Sequence, residues 1–131
     1  MTKIRGVDVL VQIKDGTQYL IISGQKDATL TLDVDTIDVT TKDEGDWRTF
    51  LQGLKTWSIS CDGLYVDGDL AQQALVNAFN NSTEVEIKME KPGSFSASGK
   101  AIITHIEHAA AMEDALTFLV EFQGTGELTI T

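Results

Sequence analysis

Few side chains in this 131-residue chain are equipped for chemistry. His105 and His108 are its two imidazoles and Cys61 its one thiol. A metal site would need both histidines on one face. They stand three apart in a stretch that alternates like a strand, so they point to opposite faces. Cys61 falls in an apolar row with Trp57 and Ile59, the setting of a buried, inert thiol rather than of a nucleophile. A lone cysteine also excludes an intrachain disulfide and a cysteine-based zinc site. No Gly-x-Ser-x-Gly, Gly-x-Gly-x-x-Gly or phosphate-loop pattern occurs. No catalytic residue, cofactor-binding residue or metal ligand is therefore assigned.

Carboxylates are the remaining chemical group. Asp33, Asp35, Asp38, Asp43, Glu44 and Asp46 sit within fourteen residues. The spacing is not that of a helix-loop-helix calcium loop. A paired-carboxylate glycosidase site is formally possible in a β-sandwich, but the sequence pairs no two of these acids. A solvated charged loop, or a loop that contacts another subunit, accounts for them better. Acids outnumber bases 20 to 10, giving a formal charge of −10. That balance speaks against a nucleic-acid binder, which would carry a basic stripe.

The elements that must position these groups are mostly strands. At 131 residues and 42% hydrophobic content, the chain can bury a core as one domain, residues 1–131. No apolar run approaches the ~18 residues of a membrane span, and no signal-peptide core follows the first residues. A soluble protein made in a cytoplasm is expected. Val7, Val9, Val11 and Ile13 alternate with polar residues, and Asp15-Gly16 supplies a tight hairpin turn into Tyr19, Leu20, Ile21 and Ile22. Leu30, Leu32 and Val34 share one face, after which the apolar parity flips to Ile37 and Val39. Such a flip predicts a bulge, a bend or the end of the sheet near Asp35-Thr36. Residues 38–53 form a long acidic loop that carries Trp47, Phe50 and Leu51.

Trp57, Ile59 and Cys61 then mark the core face of another strand. Asp69 caps the one helix, over residues 69–80, with Gln72 three residues on as in a capping box. Ala71, Leu75, Ala78 and Phe79 form its apolar stripe, and Leu75 and Phe79 are expected to pack on the sheet. Asn80-Asn81 is read as its left-handed end. Further strands follow at Val85, Ile87 and Met89, over residues 94–108 with a bulge or bend at Gly99, and at Leu116, Phe118, Val120 and Phe122 before a break at Gly124-Thr125-Gly126. The total is seven or eight antiparallel strands with one flanking helix, a β-sandwich or flattened barrel.

A family resemblance emerges from several stretches together. Gly24-Gln25-Lys26-Asp27-Ala28-Thr29-Leu30, Asp35-Thr36-Ile37-Asp38-Val39-Thr40-Thr41-Lys42-Asp43, the run from Trp47 through Leu54-Lys55-Thr56-Trp57 to Leu64-Tyr65, and Phe122-Gln123-Gly124-Thr125-Gly126-Glu127-Leu128 resemble the major tail, or tail-tube, protein of phages with long non-contractile tails. The fold is similar to inner tubes of contractile tails and of type VI secretion. The resemblance implies a structural virion protein without catalytic residues. Its hexameric rings stack into a hollow tube that conducts DNA at ejection, without specific DNA binding and with no membrane. Partners would be further copies and other tail proteins: terminator, tape measure and distal tail. It also implies that the long loop bridges rings, which here points to Asp43, Glu44, Trp47, Phe50 and Leu51. Trp57, Leu75 and Phe79 remain core and helix-packing residues. The competing reading from composition alone is a monomeric binding module, such as a carbohydrate-binding β-sandwich.

Overall fold

The computed structural model describes residues 3–15 and 17–130, without the side chains of Asp15 and Glu44. Gly16 of the expected Asp15-Gly16 turn thus lies outside the described residues. Seven strands and one α-helix follow in order: β1 (Leu10–Asp15), β2 (Gln18–Ile21), β3 (Gln25–Asp38), β4 (Phe50–Leu64), α1 (Leu70–Asn81), β5 (Val85–Glu90), β6 (Ser96–Ala109) and β7 (Thr117–Ile130). All neighbours pair antiparallel in one sheet of order β2-β1-β5-β6-β7-β4-β3. The fold is mainly β with one flanking helix, in a single sheet that does not close into a barrel.

The two edge strands, β2 and β3, are consecutive in the chain, joined by Ile22, Ser23 and Gly24. So short a connection requires the sheet to curl until its edges approach. Where they meet, a side chain stands in for a strand. Gln25 Nε2 donates to the carbonyls of Val11 (3.1 Å) and Ile22 (2.8 Å), and its Oε1 accepts from the Val11 N–H (2.9 Å). The side chain gives the Val11 N–H an acceptor and joins the Ile22 N–H (3.2 Å) in donating to the Val11 carbonyl.

Inside the curl lies the core, which includes Val11, Ile13, Ile59, Cys61, Ile87, Val120 and Phe122. Trp57 lies against Gly99 and Gly124, where an added Cβ would overlap the indole, and its Nε1 donates to the Gly126 carbonyl (3.1 Å). The glycines are therefore a floor for the ring. β7 is one strand over Thr117–Ile130, but its ladder with β6 skips from Thr125 to Thr129 with Gly126 at φ 84°, so the expected break near Gly124-Thr125-Gly126 appears as an irregularity in the pairing. A register shift does occur beside Gly99, between Ser98 and Lys100.

Helix α1 starts at Asp69, whose carboxylate accepts from the Gln72 N–H (3.3 Å). The same carboxylate accepts from the Ser23 N–H (3.2 Å) and hydroxyl (3.0 Å), and Gln72 Nε2 donates to the Ser23 carbonyl (2.9 Å). The cap thus also fixes the connection between the sheet edges. Ser82, not Asn80 or Asn81, takes the left-handed position (φ 55°). Ala71, Leu75 and Ala78 are buried, but Phe79 is 47% exposed, against the expectation for it. Gln72 has the Ser23 connection over it. Phe79 lies two turns, about 10 Å, further along the axis.

Candidate assembly surface

The acidic segment is a paired arm rather than a long loop. β4 pairs with β7 only from Ser58 to Leu64, yet it pairs with β3 back to Phe50. Residues 50–56 therefore belong to a two-stranded ribbon that leaves the sheet. Its ladder runs through Leu32↔Trp57, Val34↔Lys55, Thr36↔Gln52, Ile37↔Leu51 and Asp38↔Phe50. Between Val34 and Thr36, Asp35 stands opposite both Gly53 and Leu54, the bulge that the parity flip predicts. A Cβ on Gly53 would come within 3.0 Å of the Asp35 Cβ, so glycine permits the close approach there.

Beyond the strands the pairing continues through Thr40. The Val39 N–H donates to the Thr49 carbonyl (2.9 Å), the Thr49 N–H to Thr40 Oγ1 (2.8 Å), and the Thr40 N–H to Asp38 Oδ1 (2.9 Å). The Thr40 hydroxyl and backbone hold the Asp38 carboxyl below its ordinary pKa. Arg48 stands 4.0 Å from Asp38. Only residues 39–49 form the turn proper, including a short 3-10 segment, Lys42–Glu44, and Gly45 at φ 75°.

The arm has almost no interior. Leu32, Val34, Ile37, Trp47, Phe50, Leu51 and Leu54 are all exposed, Trp47 by 83% and Leu54 by 80%. Trp47, Phe50, Leu51 and the exposed Asp43 thus sit together at or near the tip, while the Glu44 side chain lies outside the described residues. Trp57 and Leu75, by contrast, are buried in the body. The sequence missed Leu32, Val34 and Leu54, because only the end of β7 pairing reveals how far the ribbon protrudes.

Several concavities lie on the body, and two of them flank the helix and the sheet-edge junction. One, of about 600 Å³, runs beside α1 and includes Leu70, Asn77, Lys14, Glu86 and Lys100. Lys14 and Glu86 pair there at 2.9 Å, which raises the lysine pKa and lowers that of the glutamate. The other, of about 230 Å³, lies at the junction of the sheet edges and is lined by Val7, Leu10, Ala28, Met89 and Phe95 with Lys26.

The sparse chemical groups do not converge. His105 pairs in the ladder with Glu121 and His108 with Phe118. His105 approaches Glu107 at 3.7 Å, and His108 meets the edge of Tyr65 with ring centroids 5.5 Å apart. Burial pushes the Cys61 thiol up to about 12. Among the described residues no cluster of three or more His, Cys, Asp or Glu could hold a metal ion, and no helix is long and apolar enough to cross a membrane.

Residues 3–130 match the sequence profile of a family described as phage tail tube protein. No curated protein matches the chain. Among solved structures, it is similar to the tail subunit of an empty gene transfer agent particle refined with helical, C6 symmetry: 25% identity over 98% of this chain and 99% of that one, with a TM-score of 0.89. The SPP1 tail tube shares the fold at 15% identity over 98% of this chain and 79% of that one, with a TM-score of 0.80. A chain of the anti-feeding prophage baseplate shares it at 10% identity over 100% and 96%, with a TM-score of 0.68.

Proposed function

The chain belongs to the phage tail tube protein family, and from that premise we propose that it forms six-membered rings that stack into a hollow conduit for DNA. A tail tube protein is a structural component of a virion tail. The whole chain, residues 1–131, acts as one tube domain, with no catalytic step of its own. The arm is the observation that carries this reading. Seven large apolar side chains on the ribbon and its turn are 40–83% exposed. A ribbon of two strands is marginal in water, so a neighbouring copy must supply the missing face. Asp43, Glu44, Trp47, Phe50 and Leu51 make contacts from ring to ring, and Trp57 and Leu75 hold the body that presents them.

The acidity fits a conduit. With a formal charge of −10 per chain, phosphates find little to release counterions against. Screening over about 8 Å at physiological salt limits the repulsion to short range. DNA therefore passes without specific binding. Proteins that terminate the tube, set its length and join its distal end are the other partners. A monomeric sugar-binding module would need a face of exposed aromatics, but Trp57 is buried and Trp47 rides the arm. Electron microscopy of concentrated protein tests the proposal: long hollow tubes are expected, and a chain that stays monomeric at every concentration would overturn it.

A further inference from the structure

We propose that the arm tip of one copy plugs the cavity at the sheet-edge junction of the next, with Trp47 as the plug. The inference rests on the tube reading and names the surface that receives the arm. Trp47 is 83% exposed on a turn that nothing in its own chain covers. The cavity, of about 230 Å³, is walled by Val7, Leu10, Ala28, Met89 and Phe95, an apolar lining suited to an indole. Val7 is itself 71% exposed, so the lining too lacks cover.

Charge orients the pair. Lys26 lines the cavity and enters no ion pair among the described residues. Asp43 and Asp46, which flank the plug in sequence, likewise enter none. An unpaired cation beside the socket and unpaired anions beside the plug are complementary, and they disfavour the reversed contacts of tip on tip and socket on socket. Arg5, near the same cavity, is already engaged with Asp8 at 3.4 Å.

Geometry makes the contact propagate. Plug and socket lie near opposite ends of β3, since Lys26 is at its start and Asp38 at its end. Twelve residues of strand separate them by about 40 Å. Different surfaces meet, so the contact is heterologous and does not close at two copies. Each added layer offers a fresh socket or a fresh plug.

Two surface variants test this. Trp47→Ser removes the plug and keeps the socket; the double variant Val7→Glu/Lys26→Glu spoils the socket and keeps the plug. All three positions are exposed, so both proteins should match the wild type by circular dichroism. Loss of one buried aromatic weakens each contact by about tenfold to a hundredfold. Neither variant alone should form tubes, while an equal mixture should give stacks of two layers and no more, seen by electron microscopy and sedimentation. Tryptophan emission of the wild type should shift to the blue on assembly, and that of Trp47→Ser should not. Tubes from either folded variant alone, or a mixture no better than its components, would overturn the plug and socket while leaving the tube reading intact. A wild-type chain that never assembles would overturn the tube reading itself.

Discussion

The body and the arm are built from the same ladder and differ in what lies behind it. From Trp57 to Gly63 every second residue of β4 is buried, under a sheet that continues through β7 and β6. In the ribbon, the β3 residues 31–38 are all exposed, although their pairing with β4 continues to Asp38. Backbone pairing therefore sets the shape of the arm, but it has no core to stabilise that shape. Net gain from an exposed hydrogen bond is only about 1 kcal/mol, whereas a buried large side chain contributes about 1.5–3 kcal/mol. The body has a core of its own to hold it, whereas the arm has little beyond its ladder.

That contrast breaks most readily at Trp57. Trp57→Ala should cost about 3–5 kcal/mol in a denaturant melt, out of a total near 5–15 kcal/mol. It also leaves the Gly126 carbonyl without its indole donor. A loss under 1 kcal/mol would show that the body does not depend on this core. Alkali reaches the same core without mutation. Burial pushes the Cys61 thiol up to about 12 when folded, against 9.0 for a thiol in water. The unfolded thiol therefore ionises first, so this group's contribution is intact below about pH 9 and is lost as pH rises towards 12. Thiol reagents at pH 8 should leave the native protein unlabelled and label it once denatured.

Smaller effects should appear towards the periphery. Asp69→Ala removes a helix cap and the anchor of Ser23, for an expected loss of about 1–2 kcal/mol by thermal or denaturant unfolding. Phe79→Ala should cost about 1 kcal/mol, because nearly half of the ring is already in water. On the arm, Ile37→Ser with Leu51→Ser should change monomer stability by about 0.5 kcal/mol or less. The same double variant should abolish tubes under the electron microscope. A large stability loss there would mean that the arm has an interior after all.

Much of this division was legible in the residues. The row of Trp57, Ile59 and Cys61 marks a core strand, because side chains in a strand alternate strictly, and the step from Val34 to Ile37 marks the irregularity beside Asp35, whose extra residue stands on β4 at Gly53-Leu54. The extent of the arm was not legible. Thr41 and Gly45 read as loop and are turn, but the polarity of Asp38 and Thr40 hides a pairing that they sustain with side-chain bonds. The junction at Gln25 was hidden for a related reason: an amide side chain takes the place of a backbone neighbour, and no periodicity announces it. For Phe79 the helical spacing identified a stripe, but the breadth of cover above that stripe depends on a distant connection.

The topology also dictates an order of events in time. β7 lies between β6 and β4 in the sheet, yet it follows all six other strands along the chain. Until it is available, β1, β2, β5 and β6 form one patch, β3 and β4 another, and no ladder joins them. Contacts this distant in sequence close slowly, because loop entropy is lost before they reward it. A ribosome-bound chain still lacking β7 would have an arm with no body to aim it.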